Sequence, residues 1–229
     1  MPGRIRISIF DRIIYSADYE RVRRNIRTTV IRPNTAIQVP FIAEYADRAL
    51  IVRMPTGNGP APGIAAAQAQ LMKLAGTAVP DYEQIRKTVD TLVPFVNLAG
   101  VRLTELGPTS AVAEIPARDA MLNHVGTVHA GALFLAAEVA CAGAFSGAVA
   151  PRLQHVRTFL LRDTRTTFFR PARGRIRATG TVTSPMLPAA VQRETEEQFD
   201  ITGKALLHDD SGTLVAKVDL DYLCWLAAA

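Results

Sequence analysis

Residues 129–150 form an almost continuously apolar run, HAGALFLAAEVACAGAFSGAVA, with one carboxylate near its centre. Nineteen of these 22 residues are Ala, Gly, Val, Leu, Phe or Cys, and the exceptions are His129, Glu138 and Ser146. A helix that is apolar on nearly every side must be buried nearly all round, in a protein core or in a bilayer. Because Glu138 near the middle of a bilayer would cost about 2.5 kcal/mol or more, the run predicts a core helix and not a membrane span.

Strand-like segments flank this helix in the sequence. Residues 101–117 predict a strand pair around a turn at Gly107-Pro108. After the helix, four more segments read as strands, at residues 156–171, 175–185, 191–209 and 213–225. The turns between them are predicted at Ala172-Arg173-Gly174, Pro185–Pro188 and Asp209–Gly212. A strand pair, one long helix and four consecutive strands predict an α+β fold in which an antiparallel sheet wraps around the helix.

The chain before residue 101 is interpreted as two helices preceded by a basic extension. Residues 65–76 and 82–100 read as helices, and the second places four apolar residues on one face. These are Ile85, Val89, Leu92 and Val93. Residues 55–64, PTGNGPAPGI, contain three Pro and three Gly and interrupt any regular element. We therefore divide the chain into an N-terminal extension with its linker, residues 1–64, and a main domain, residues 65–229.

The net charge of +5 belongs to the N-terminal extension. Residues 1–35 hold eight Arg and three acidic residues, whereas the rest of the chain has 18 basic and 18 acidic residues. No nucleic-acid-binding motif accompanies the basic arm, so it is interpreted as a solvated face and nucleic acid is not an expected partner. Cys141 and Cys224 give neither a disulfide framework nor a metal cluster. Because the first 20 residues contain no signal peptide, the protein is expected in the cytoplasm.

Three segments, in the right order, resemble one known family. Residues 123–143, NHVGTVHAGALFLAAEVACAG, resemble the signature of PaaI-type hotdog-fold acyl-CoA thioesterases, in which an Asn precedes G-T-x-H-G-G and a helix with an acidic residue. Residues 168–182 and 209–222 resemble the strand-turn-strand and the last hairpin of that family. The resemblance covers about residues 85–225. It implies the hotdog fold, a long central helix wrapped by an antiparallel sheet, and a homodimer or homotetramer with active sites at the dimer interface.

The resemblance also implies a catalytic carboxylate on the central helix, 15 residues after the signature Asn. Asn123 and Glu138 have this separation. Glu138 would act as a general base on water or as a nucleophile on the thioester carbonyl. An apolar surrounding supports this role, because desolvation raises the pKa of a carboxyl group. Asn123 would position the thioester carbonyl or the attacking water, or else it is a loop residue that caps a turn.

Two further groups are implied to contact the substrate. His129, Ala130 and Gly131 begin the helix, where free backbone N–H groups can stabilise an oxyanion. The family usually has Gly where this chain has Ala130, and His129 is expected to orient the loop or the helix start. Arg170 and Arg173 would bind the phosphates of coenzyme A, or else they belong to a solvated turn. Coenzyme A is part of the substrate, and neither a cofactor nor a metal is expected.

Two other functions stay open at the level of sequence. Hotdog dehydratases pair a His with a Glu 14 residues later on the central helix, and His124 and Glu138 have this spacing. Their His stands in a G-H-F-P context, however, whereas His124 stands in NHVGTVHAG, which matches the thioesterases. The third possibility is a non-catalytic module that binds acyl-CoA. The acyl group, and whether coenzyme A or a carrier protein carries it, are not specified by the sequence.

Overall fold

The computed structural model of the protein describes residues 79–193 and 195–228, together with residue 69. The N-terminal extension and linker at residues 1–64 lie outside the described residues. So does the predicted helix over 65–76, apart from residue 69. The division of the chain at residue 64 therefore stays a prediction.

The described chain contains four α-helices, two short 3-10 helices and six strands. The α-helices are α1 (Tyr82–Leu92), α2 (Pro94–Ala99), α3 (Ala130–Ala148) and α4 (Leu187–Gln192). The strands are β1 (Arg102–Leu106), β2 (Ser110–Ile115), β3 (Val156–Phe168), β4 (Ile176–Thr183), β5 (Glu197–Asp209) and β6 (Leu214–Leu226). The 3-10 helices are Asp119–Met121 and Ala150–His155.

The six strands form one antiparallel sheet in the order β1-β2-β4-β5-β6-β3. Residues alternate between its two faces, as the two-residue period of a strand requires. In β4, for example, Ile176, Ala178 and Val182 are buried, and Arg177 points outward. Helix α3 packs on the buried face, with its closest neighbours in β2 and β4. This is the hotdog fold, so the predicted α+β architecture is confirmed.

Glycines allow α3 to approach the sheet closely. A Cβ on Gly143 would lie 2.7 Å from Leu103 Cδ1. A Cβ on Gly180 of β4 would overlap the backbone of Ala140 in the helix. Interiors are packed at crystal-like density, so these positions leave no room for a methyl group. The small residues of the apolar run therefore serve helix–sheet packing.

Helix α3 is long and apolar enough to cross a membrane by length and composition alone. In the structure, 67% of its most apolar window is buried, mostly against the sheet of the same chain. The core helix predicted from the apolar run is therefore present. Its bounds, Ala130–Ala148, lie within the predicted run.

Two predicted elements differ from the structure, and a proline explains each difference. The helix predicted over 82–100 divides, because Pro94 holds Val93 in an extended conformation and ends α1 at Leu92. Val93 is consequently 46% exposed, and Thr88 is buried on the face where Val93 was predicted. Residues 191–192 belong to α4 instead of the following strand, since Pro188 in the first turn favours that short helix.

Candidate active site

The loop that leads into α3 is organised by Asn123. Its backbone N–H donates to Thr127 O at 2.8 Å, and its side-chain Oδ1 accepts from the N–H groups of Val125 and Thr127, each at 3.1 Å. Its Nδ2 donates to Thr127 Oγ1 at 2.8 Å. Gly126 supports the turn with a positive φ of 73°. Both polar atoms of the Asn123 side chain thus bond within the loop, an arrangement that suits a residue capping a turn.

His129 is the N-cap of α3, and its side chain occupies the backbone N–H of Gly131, one of the residues predicted to stabilise an oxyanion. Its Nδ1 accepts from Gly131 N–H at 2.9 Å, so Nδ1 is unprotonated in this arrangement. The N–H groups of Ala132 and Leu133 donate to His129 O, at 2.9 and 3.2 Å. Ala130 N–H has no hydrogen-bond partner within the described residues. In the first turn, Ala130 therefore offers the free amide.

Glu138 lies two turns further along α3, on the half-buried face of the helix. Burial raises the pKa of its carboxyl group. The carboxylate accepts no hydrogen bond from any described residue, so nothing in this part of the chain holds it in one orientation. Phe134, Leu135 and Ala142 share this half-buried face. Glu138 is therefore a partly exposed carboxyl group with a raised pKa in an apolar setting.

Ala130 and Glu138 are eight positions apart, which corresponds to about 12 Å along the helix axis. An oxyanion lies about 3 Å from its N–H donor, and a general base lies within about 3 Å of the water whose proton it takes. One thioester group bound at Ala130 is therefore too far from Glu138 of the same protomer. The Ala130 amide and the Glu138 carboxylate of one helix therefore cannot both act on the same thioester group.

The turn after β3 contacts the Asn123 loop. Val128 N–H donates to Ala172 O at 2.9 Å, and Arg173 Nη1 donates to Gly126 O at 3.1 Å. The Arg170 side chain is exposed and forms no hydrogen bond with the described residues. Of the two arginines predicted to bind phosphate, Arg173 therefore contacts the loop, and Arg170 lies three residues earlier in the same turn with an exposed side chain.

The surface beside these arginines is partly apolar. Val125 in the loop and Phe168 and Phe169 at the end of β3 have exposed side chains. They lie on the segments that the Arg173–Gly126 contact joins. Positive charge and exposed apolar groups therefore occur together next to the start of α3.

Cys141 follows Glu138 by one turn, and it is not a candidate nucleophile. Burial raises the pKa of its thiol to about 12, so the thiolate is negligible at neutral pH. Tyr222 of β6 is a neighbour of this turn that the sequence did not single out. It is fully buried, and its hydroxyl oxygen has no hydrogen-bond partner in the described chain. From sequence it reads only as an inward residue of a strand.

A pocket of about 280 Å³ opens at the opposite end of α3. It is lined mainly by apolar side chains, among them Ala148, Val182, Leu187 and Val191. Ala148 follows Glu138 by ten residues, about 15 Å along the helix. No titratable group lines this pocket, so the candidate chemistry lies elsewhere.

Comparison with known proteins places this geometry in context. The profile of a family described as a domain of unknown function, DUF4442, matches residues 82–224. A thioesterase from Haemophilus influenzae is 15% identical and aligns with a TM-score of 0.51 over 66% of this chain and 94% of its own. A mutant thioesterase from Pseudomonas aeruginosa is 17% identical, with a TM-score of 0.51 over 65% and 96%.

A mutant of the phenylacetic acid degradation protein PaaI from Thermus thermophilus is 22% identical, with a TM-score of 0.45 over 57% of this chain and 98% of its own. No curated protein matches the chain. The two thioesterase structures with a TM-score of 0.51 establish the fold, and at that level they bear out the expected resemblance to hotdog thioesterases.

Proposed function

Because the chain belongs to the DUF4442 family and has the hotdog fold, we propose that it is a thioesterase that hydrolyses an acyl-CoA or acyl-carrier-protein thioester to a free acid and a thiol. The observation that carries the proposal is Glu138. It is a half-buried carboxylate with a raised pKa on an otherwise apolar helix, with no hydrogen bond from the described residues. A purely structural acid would be expected to have a partner, because a buried charge without one is unfavourable. The names of the hotdog neighbours, which include thioesterases, agree with this choice.

The proposed reaction uses Glu138 as general base. Glu138 takes a proton from water while the water oxygen bonds to the thioester carbon, and the carbonyl becomes an oxyanion. The N–H of Ala130 donates to that oxyanion, supported by the positive end of the helix dipole. The C–S bond then breaks, and the sulfur leaves as a thiol after taking up the proton. A direct attack by the Glu138 carboxylate would form an anhydride, which water then hydrolyses.

The separation of Ala130 and Glu138 leads to a composite site. A second copy of the chain, with its α3 antiparallel to the first, would bring the partner's carboxylate to the amide of Ala130. Two features favour this assembly. The half-buried face of α3 carries Phe134 and Leu135 beside Glu138, and β3 is a 13-residue edge strand whose outer side pairs with no described strand. The active protein is therefore proposed to be a homodimer, or a homotetramer built from such dimers.

The side chains of Arg170 and Arg173 are proposed to bind the phosphates of coenzyme A at the entrance to this site. Arg170→Ala is expected to raise KM for an acyl-CoA and to leave KM unchanged for the matching acyl-pantetheine, which lacks the nucleotide. An equal rise in KM for acyl-CoA and for acyl-pantetheine would show that Arg170 does not bind the phosphates. If the natural substrate is carried by a carrier protein, the KM for the acyl-carrier-protein should be much lower than the KM for the acyl-CoA. We place this activity in the cytoplasm and in acyl-thioester metabolism, such as that of fatty acids.

The decisive experiment follows free thiol with a thiol reagent, over a panel of acyl-CoA substrates, for wild type and Glu138→Gln. The amide keeps the shape of the carboxylate but does not take up a proton, so kcat should fall by about a hundredfold, the scale of general base catalysis, with little change in KM. A Gln variant that keeps its turnover would remove Glu138 from the mechanism. Thermal melting of both proteins serves as the folding control.

Two alternative functions have distinct outcomes in the same assay. A dehydratase would hydrate an enoyl thioester without releasing thiol, using His124 with Glu138. His124 is exposed in the loop before α3, which does not favour a shielded proton-transfer pair. A non-catalytic module would bind acyl-CoA without any turnover.

A further inference from the structure

Tyr222 carries a buried hydroxyl group that the fold alone does not explain. Its side chain is 1% exposed, and its Oη has no hydrogen-bond partner in the described residues. A buried donor without an acceptor is destabilising, and phenylalanine would fill the same space without that loss. The Tyr222 hydroxyl therefore needs an acceptor that it can reach after a change of side-chain rotamer.

The position of the ring shows where that partner lies. Tyr222 stacks on Phe159 with ring centroids 4.3 Å apart, and Phe159 stacks on Phe145 of α3 at 3.9 Å. A Cβ on Gly203 would lie 2.9 Å from Tyr222 Cε2, next to the hydroxyl carbon, and 3.2 Å from Cys141 Sγ. The hydroxyl end of the ring and the Cys141 turn of α3 thus meet over this glycine.

Glu138 is one turn before Cys141, and side chains three positions apart on a helix are neighbours. Its carboxylate also lacks a hydrogen bond from the described chain. Two polar groups without partners therefore lie around the same turn of α3. One is a donor and the other an acceptor, so each supplies what the other lacks.

The remaining titratable groups on the elements packed around α3 point elsewhere. On the outer face of the sheet, Arg177 pairs with Glu105 and Glu114, and Arg162 of β3 pairs with Asp200. At the two ends of β5, Glu197 pairs with Arg193, and Asp209 accepts hydrogen bonds from the turn residues Ser211 and Thr213. On the inner side, the buried Arg152 donates to backbone carbonyls, including Ala190 O at 2.7 Å. In α1, Arg86 and Asp90 bind the backbone of Leu103. Cys141 and Tyr222 are the titratable neighbours of Glu138 in this region.

We propose that Tyr222 is a positioning residue for Glu138, whose carboxylate turns toward the sheet and accepts a hydrogen bond from the Tyr222 hydroxyl. This inference rests on the proposed role of Glu138 as general base. The bond would fix the orientation of the carboxylate and favour its ionised form, the form that accepts a proton from water. Burial, with smaller contributions from the charges of Cys141 and Glu138, raises the pKa of Tyr222, so the hydroxyl keeps the proton that it would donate.

The first test does not depend on activity. The free energy of unfolding is measured from pH 4 to 8 for wild type, Tyr222→Phe, Glu138→Gln and the double variant, with Tyr82→Phe in α1 as the control. If the bond exists, removing it raises the folded pKa of Glu138. The stability of Tyr222→Phe should then fall further below wild type as the pH rises through the titration of Glu138. In the Glu138→Gln background, the same substitution should show no such pH dependence.

The second test uses the pH dependence of kcat/KM. In Tyr222→Phe the acidic limb should move to higher pH, and kcat at neutral pH should fall about tenfold with KM unchanged. The proposal is overturned if Tyr222→Phe is more stable than wild type by the same amount at every pH and keeps the wild-type acidic limb, because the hydroxyl would then be an unpaired core group. Should Glu138→Gln retain full turnover, the catalytic role fails, and the stability measurements still decide whether the two side chains interact.

Discussion

Ala130→Pro tests whether one active site draws on two protomers. Ala130 is the first residue of α3, a position where proline is well tolerated because its missing N–H has no partner within the helix. His129, which precedes it, already has φ −63° and ψ 138°, the extended conformation that a following proline requires. The substitution thus removes the free amide while leaving the helix and its cap in place. Loss of one oxyanion donor should lower kcat by about a hundred- to a thousandfold.

The informative step is to mix this variant with Glu138→Gln. If Ala130 of one protomer works with the partner's Glu138, each mixed dimer contains one site with both groups intact and one site with neither. Half of the dimers are mixed after random exchange, so activity should recover to about one quarter of wild type in a two-fold symmetric dimer. Subunits are exchanged by dilution and reconcentration, and thiol release is measured before and after. Wild type mixed with Glu138→Gln is the matched control, since it reports dilution of active sites alone.

Two results would refute this account. If mixing recovers no activity although native mass spectrometry shows mixed dimers, the amide and the carboxylate do not cooperate across an interface. If light scattering gives a monomer at micromolar concentration with full turnover, one protomer completes the site, which the distance of about 12 Å between Ala130 and Glu138 along one helix does not allow. In either case the assignment of Ala130 N–H as the oxyanion donor would be wrong.

Four other outcomes are expected. His129→Ala should lose about 1 kcal/mol of stability with its cap, whereas His129→Ser, which still caps the helix, should keep it in urea unfolding. Glu138→Gln should gain stability over wild type as the pH rises above 4.5, by at most about 1.4 kcal/mol per pH unit, because burial raises the pKa of the carboxyl group; a constant difference would contradict this. Gly180→Ala should cost about 1–3 kcal/mol or more, since its methyl group would overlap the backbone of α3, and Thr179→Ala on the outer face is its control. Deletion of residues 1–60 should leave folding and turnover intact, and loss of soluble protein would show that the extension is part of the core.

The sequence predicted the core of the fold because its signals are local. The apolar run has the length and composition of a buried helix. The turns at Gly174 and Gly212 were predicted because glycine readily adopts a positive φ, and both residues do so in the structure. The end of α1 was misjudged although Pro94 marks it, since the apolar residues on both sides of the proline continue the helical spacing. The local sequence pattern therefore predicts whether a segment is a helix or a strand better than it predicts the residue at which the segment ends.

The site was predictable only in part, because hydrogen bonds depend on rotamers and not on spacing. Asn123 and Glu138 were found from their separation, yet the sequence did not show that Asn123 bonds within its own loop. Nor did it show that the His129 ring turns back onto Gly131 and occupies its amide. The glycine itself permits this, because a Cβ at Gly131 would lie 3.1 Å from the ring nitrogen. Of the backbone N–H groups of Ala130 and Gly131 at the start of the helix, a neighbouring side chain therefore leaves one free donor.

Tyr222 illustrates the remaining gap between pattern and chemistry. In β6 its position follows the alternation of inward residues, so its sequence context predicts burial and nothing more. Its relation to Glu138 exists because β5 places Gly203 beside it, which lets the ring reach the Cys141 turn of α3. Three elements far apart in the chain thus bring a buried hydroxyl toward a carboxylate that accepts no hydrogen bond from the described residues. A lone acid in an apolar helix becomes informative when the fold shows which donors could reach it. Within the described residues, the Tyr222 hydroxyl is a buried donor without an acceptor close to the Glu138 turn of α3.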